Sequence, residues 1–225
     1  MPSIVAGVVR FQDDVFPQQK GLFEKLSSGQ QPEALFITCS DSRIDPSLLT
    51  QTPPGQLFIC RNAGNIIPPH SLHTGSMTAS IEFAMGVLNV PHIVICGHSQ
   101  CGAMKGAMNI DSLVNLPHTR EWLGYAQAAV AVVEEKAVGW DTEQRMEALV
   151  RENVLLQLQH LKTHPLVAAR LATGRVQLHG WVYDIRTGSI EAHDAAADRF
   201  VPVKDKYRDR IAYHLERMGA ESCDH

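Results

Sequence analysis

The sequence lacks any block of one charge. Its 20 Lys and Arg are set against 24 Asp and Glu, for a formal net charge of −4, and the basic residues do not cluster. A phosphate backbone would meet no basic field, so nucleic acid is excluded as the expected partner. Long apolar runs are missing as well, and nothing reads as a membrane span. The opening "MPSIVAGVVRFQDDVF" is apolar from Ile4 to Val9, but it has no cationic start and reaches Asp13 and Asp14 too soon for a secretory signal. Five cysteines in 225 residues are too few for a disulfide framework. The expectation is a cytoplasmic protein without membrane or nucleic-acid partners. With no repeat, low-complexity tract or linker, residues 1–225 read as a single domain able to bury roughly 70% of its extended surface.

What is present is an alternation of strand-like and helix-like segments. Ile4, Val8, Phe11 and Val15, then Leu22, Phe23 and Leu26, recur at helical spacing and predict an N-terminal helical arm, interrupted near Pro17. Strands are predicted over 34–39, 56–61 and 92–97. The last, "HIVICG", is a continuous apolar run of the kind buried on both faces of a parallel sheet. Asp45 and Pro46 read as the cap and first residue of a short helix. Further helices are predicted over 74–89, after "SQCG", over 119–138 and over 142–163. A late strand in "RVQLHGWVYD" is followed by a hairpin partner in "SIEAHD", and 203–225 has the spacing of a helical tail. The pattern predicts an α/β fold, with a mostly parallel central β-sheet flanked by helices and a late antiparallel strand. In such sheets ligands gather beyond the carboxyl ends of the strands.

Two of those strand ends carry soft or borderline metal ligands. "CSDSR" places Cys39, Asp41 and Arg43 in one turn, and "GHSQC" places His98 and Cys101 in another. Either alone is common by chance. Together, two thiolates and an imidazole are a zinc set short of one ligand, which Asp41 or water would supply. Three protein ligands with water make a catalytic centre, and four make a closed structural one. Two thiolates offset the zinc charge, so water there should ionise less readily than beside neutral imidazoles. Asp41 would help by accepting a proton or hydrogen bond from that water, with Arg43 holding the carboxylate. Without Cys39, the Asp41–Arg43 pair would read as a surface ion pair of little worth. Cys60 and Cys96 lie inside strands and read as core thiols, and Cys223 as a terminal bystander.

A rival exists at the second turn. "ICGHSQCGAM" also resembles a strand, sharp turn and helix around a nucleophilic serine, with Ser99, Asp184 and His193 in triad order. The last glycine of G-x-S-x-G is Cys101 here, and this reading leaves "CSDSR" without a purpose.

"CSDSR", "RNAGNIIPP", "GHSQCGAMKG" and "LHGWVYDI" together strongly resemble the beta-class carbonic anhydrases, from about Val8 to Pro202. The resemblance implies an α/β fold and reversible hydration of carbon dioxide to bicarbonate and a proton. It also implies a homodimer or higher even homo-oligomer in which the arm, residues 1–30, crosses onto the neighbour. It places one Zn2+ per chain on Cys39, His98 and Cys101, and an Asp–Arg dyad on Asp41 and Arg43. The plant-like branch adds substrate-binding positions at Gln30, Phe58, Phe83 and the amide of Gly102, an apolar slot that suits a small linear substrate. That branch has Tyr where this chain has Phe83, so a hydroxyl is lost. A second branch locks bicarbonate beside a Trp, an Arg and a Tyr; Arg61 and Tyr183 are present but the Trp position is Phe36, so no such lock is expected. His70, His73 and Glu82 are candidates for proton export. Bacterial members linked to cyanate breakdown or carboxysomes look most similar. A carbon disulfide or carbonyl sulfide hydrolase on the same fold, and a non-catalytic scaffold subunit with zinc closed by Asp41, are the alternatives.

Overall fold

The computed structural model describes residues 1–71 and 74–221, with residues 216–221 as backbone alone; His73 and Cys223 lie outside the described residues. A six-stranded sheet runs in the order β2-β1-β3-β4-β5-β6. Its strands are β1 (Ala34–Cys39), β2 (Leu57–Asn62), β3 (His92–His98), β4 (Gln177–Tyr183), β5 (Ile190–Asp194) and β6 (Arg199–Pro202). The first four are parallel, and β5 and β6 add antiparallel at one edge. The sheet is mostly parallel as expected, with one antiparallel strand more than the sequence suggested. Pro202 ends that extra strand at the sheet edge, where a missing N–H is tolerated.

The N-terminal arm comprises α1 (Pro2–Arg10), α2 (Phe16–Gln18) and α3 (Lys20–Leu26). A wide π-type turn, Phe11–Val15, joins α1 to α2. Pro17 stands in the first turn of α2, where its missing N–H is not needed, so the interruption falls at Gln19 and not at Pro17. Beyond the arm, α4 (Pro46–Thr50) starts as predicted, with the Asp45 carboxylate accepting the Leu48 N–H at 3.1 Å. Next come α5 (Ser76–Gly86) and α6 (Gly102–Met108). The single helix expected over 119–138 is in fact two, α7 (Pro117–Leu123) and α8 (Gln127–Lys136), parted by a tight 3-10 turn at Gly124–Ala126. Last come α9 (Thr142–Lys162), α10 (Pro165–Ala172), α11 (Val203–Lys206) and α12 (Arg208–Glu221). The sequence reading missed α10, although Pro165 at its start is a helix-opening signal.

Helix α9 is the principal support of the sheet. A reciprocal capping box starts it: Asp141 accepts the Gln144 N–H, and the Gln144 side chain accepts the Asp141 N–H. Its buried face, including Met146, Leu149, Val150, Val154 and Leu161, joins Leu35, Ile37, Ile93 and Ile95 in the main core. The alternate residues Phe36, Val94 and Cys96 form a smaller cluster with Leu57, Trp181 and Tyr183 on the opposite face. Close seating of α9 needs glycine in the strands beneath it. A Cβ on Gly97 or on Gly180 would lie 2.9 Å from a Val154 methyl. On the opposite face, the Tyr207 hydroxyl accepts the Trp181 indole N–H at 3.2 Å and bonds His179 Nδ1 at 2.8 Å, tying the start of the C-terminal helices to β4. Among the described residues no helix is long and apolar enough to cross a membrane.

Gly180→Ala is therefore expected to cost about 1–3 kcal/mol, read as a lower denaturation midpoint. An unchanged midpoint would mean that α9 has room to retreat.

Candidate metal centre

Strands β1 and β3 are parallel neighbours, with Thr38 in register with Cys96. That pairing brings Cys39 and His98 to adjacent carboxyl ends. The chain then turns sharply through Gln100, at φ 55°, and returns Cys101 to the same spot as the cap of α6. One ligand atom from each of Cys39, His98 and Cys101 lies within 4.8 Å of the others, and the two sulfurs are 3.9 Å apart. All three side chains are buried.

The imidazole fixes the chemistry of this cluster. His98 Nδ1 lies 2.9 Å from the Ser99 carbonyl, an acceptor, so Nδ1 carries the proton and Nε2 presents a lone pair. Nε2 is buried and, among the described residues, has no hydrogen-bond partner. An orphaned buried acceptor is expensive unless something binds it. Facing two sulfurs, it completes three corners of the tetrahedron that zinc prefers, with its other nitrogen braced from behind.

Electrostatics agree. The hydrogen bond from Cys101 holds the Cys39 thiol well below its ordinary value, whereas the same bond and burial push the Cys101 thiol up. The pair thus already favours one thiolate, and a cation would displace the remaining proton. Cys39 Sγ also accepts the Gly64 N–H at 3.4 Å, and the Ala103 and Met104 amides of α6 favour negative charge on Cys101.

Asp41 lies beside the cluster, with Oδ2 3.8 Å from His98 Nε2. Arg43 grips it with both arms of the fork, Nε to Oδ1 at 2.9 Å and Nη2 to Oδ2 at 2.7 Å, and adds its backbone N–H at 3.0 Å. Nη2 also reaches the Gln100 carbonyl at 3.1 Å, so the dyad spans both turns. Those hydrogen bonds from Arg43 hold the Asp41 carboxyl well below the usual carboxylate range. Arg61 braces the same turn from β2, donating to the Cys39 carbonyl at 3.1 Å and the Asp41 carbonyl at 2.7 Å. The sequence reading had considered Arg61 only for a bicarbonate lock and missed this support, because backbone carbonyls leave no residue-type signal.

The proposed pocket residues divide. Gly102 opens α6 immediately after Cys101. Phe58 pairs with Leu35, four residues before Cys39, and so lies about 13 Å back along the sheet. It stacks on Phe83 at 5.9 Å, and Phe83 is 44% exposed. Gln30 is exposed and precedes β1 at the end away from Cys39. One chain therefore does not gather Gln30, Phe58 and Phe83 around the three donors. His70 and Glu82 share a cavity of about 110 Å³ with buried His164.

The serine triad is not assembled. Ser99 Oγ accepts the Ile185 N–H, Asp184 accepts the N–H groups of Arg186 and Thr187, and His193 sits 3.5 Å from Asp198 and against Phe200.

Comparison with known proteins agrees with this geometry. The sequence profile described as "Carbonic anhydrase" matches residues 34–190, from the start of β1 to the start of β5. The chain belongs to the carbonic anhydrase family. The carbonic anhydrase of Pseudomonas aeruginosa is 49% identical over 205 residues, covering 91% of this chain and 93% of that protein. The solved structure of the beta-carbonic anhydrase CcaA superposes with a TM-score of 0.88 at 42% identity, over 90% of this chain and 98% of that one. A beta-carbonic anhydrase of Sordaria macrospora, described as tetrameric, superposes with a TM-score of 0.75 at 30% identity, over 84% and 94%. Beta-carbonic anhydrases are zinc enzymes, and the cofactor here is zinc, with Cys39, His98 and Cys101 as the donor set that fits it.

Metal analysis of purified protein is expected to give close to one zinc per chain. His98→Ala or Cys101→Ser should lose most of it, while Cys60→Ala and Cys96→Ala, outside the cluster, should keep it. Retention of full zinc by Cys101→Ser would overturn this donor set.

Proposed function

We propose that the protein catalyses the reversible hydration of carbon dioxide to bicarbonate and a proton, with Asp41 and Arg43 as its catalytic dyad. The observation that carries this reading is the Asp41 carboxylate, 3.8 Å from the bare nitrogen of His98 yet held by both arms of Arg43. Zinc, when bound, supplies a Lewis acid that makes water a nucleophile near neutral pH. The chain does the rest. Asp41 offers a fixed acceptor that orients the attacking water and takes its hydrogen bond. Arg43 keeps that carboxylate ionised and away from the fourth corner of the site. The Gly102 amide faces the substrate.

The dyad also has a defined pH behaviour. Because its folded pKa is depressed, Asp41 stays a carboxylate throughout the neutral range. The stability it contributes is fully present above the ordinary value of about 4 and is lost only as the pH falls below that. No loss of activity near neutrality should arise from protonation of Asp41.

We extend an even homo-oligomer to this chain, as in the tetrameric Sordaria relative. The arm supports this reading, because α1, α2 and α3 bury no residue while Ile4, Val8 and Phe11 are 65%, 53% and 42% exposed. Residues 1–30 then act as the dimerisation arm of a single domain, and the tail expected over 203–225, helical in α11 and α12 as far as Glu221 and beyond that outside the described residues, follows the sheet. Gln30, Phe58 and Phe83 line the substrate pocket of the neighbouring copy, since they stand away from their own. Phe36, buried edge-on against Trp181 at 6.1 Å, and Arg61, engaged by two backbone carbonyls, both argue against a bicarbonate lock.

Asp41→Asn and Arg43→Gln are expected to retain zinc and lose about 100-fold or more in kcat/KM for hydration, the scale of a lost acid–base group. Zinc-replete Asp41→Asn with hydration within twofold of wild type would remove the dyad from the mechanism.

A further inference from the structure

Helix α9 supplies no metal ligand, yet two of its polar residues are among the most buried in the protein. Asn153 is 1% exposed and Gln157 is 0% exposed. One helical turn apart, they share a face, and Gln157 Nε2 donates to Asn153 Oδ1 at 2.9 Å. Both then reach into the loop after β2. Asn153 Nδ2 donates to the Gly64 carbonyl at 3.0 Å, and Gln157 Oε1 accepts the Ile67 N–H at 2.8 Å. One turn further, His160 Nδ1 donates to the Ile67 carbonyl at 2.8 Å.

Packing alone does not require amides here. Leu149, Val150 and Val154 seat the same helix with apolar groups, and a buried amide is costly unless bonded. What distinguishes the clamped loop is Gly64, whose N–H is the donor to Cys39 Sγ at 3.4 Å. The loop is also fixed from other sides. The Asn62 side chain bonds both the N–H and the carbonyl of Ile66, and the Trp122 indole donates to the Ala63 carbonyl at 2.9 Å. Gly64 sits at φ 83°, and a Cβ there would lie 2.9 Å from Met104 and 3.1 Å from Ala103, on the helix that follows Cys101. A side chain there would be strained at that φ, would displace the Met104 methyl and would press on the Ala103 methyl.

We propose that Asn153 and Gln157 are positioning residues of the metal centre: their amide ladder on α9 anchors the Gly64 carbonyl and the Ile67 N–H, and so holds the loop in which the preceding peptide unit, Ala63–Gly64, donates its N–H to the Cys39 thiolate. This inference rests on the zinc reading above. An N–H···S bond draws density from the sulfur and leaves more positive charge on the cation. That acts in the direction a two-thiolate site needs.

The test uses cobalt(II) and zinc in the intact protein, for wild type, Asn153→Leu and the double variant Asn153→Leu/Gln157→Met. The double variant replaces both amides by apolar groups of similar shape, which removes their mutual bond but leaves the Gly64 carbonyl and the Ile67 N–H without those partners, so a lower melting temperature is expected. Sulfur-to-cobalt charge-transfer absorption is expected to move to lower energy in both variants, and zinc affinity by chelator competition to fall about tenfold or more, with the circular-dichroism spectrum retained. Unmoved bands and affinity in a folded variant, whatever its melting temperature, would overturn the inference. Wild-type protein without such bands would defeat the zinc reading itself. Should neither variant fold, cadmium-113-loaded wild type decides: a scalar coupling between the metal and the Gly64 amide proton supports the bond, and its absence overturns it.

Discussion

Three metal-binding atoms drawn into one buried space are the constraint on which the rest of this structure depends. Two sulfurs 3.9 Å apart and an imidazole nitrogen with no partner among the described residues form an unfavourable arrangement until a cation joins them. Parallel pairing of β1 and β3 brings Cys39 beside His98, and the left-handed Gln100 closes the turn that returns Cys101. Gly97 in β3 and Gly180 in β4 let α9 press on the sheet from behind, so the platform has little freedom to relax.

The donor choice creates a second problem, which the surroundings address. Two thiolates offset most of the charge that makes zinc useful for activating water. Backbone N–H groups aimed at the sulfurs from Gly64, Ala103 and Met104 work against that loss. In the proposed mechanism Asp41 compensates in another way, by accepting a hydrogen bond from the reacting water, with Arg43 holding its carboxylate ionised. Arg61 contributes without touching the cluster, by holding the carbonyls of Cys39 and Asp41 in place.

Much of this was legible in the sequence, for particular reasons. "ALFITC" and "HIVICG" are largely apolar runs ending in polar chemistry, which located two strands and both ligand turns. Asp45 and Pro46 announced α4 because capping is a local interaction. β6, four residues at an edge, is set by tertiary contact and was not legible, whereas α10 carries a signal in Pro165 that its start, with only two residues between it and α9, obscures. The Gly64 donor and the carbonyl contacts of Arg61 were invisible because backbone groups carry no residue identity. Gln30, Phe58 and Phe83 were read as one pocket, but a single sequence does not say which copy of the chain a residue serves.

The most direct measurement is stopped-flow carbon dioxide hydration on purified protein, with zinc determined on the same sample before chelation, after it, and after zinc is restored. The account predicts close to one zinc per chain, fast hydration that disappears with the metal, and recovery when zinc returns. Zinc-replete protein that shows no hydration anywhere between about pH 6.5 and 9 would contradict it, and would mean that the fourth corner is closed or that the substrate is another molecule.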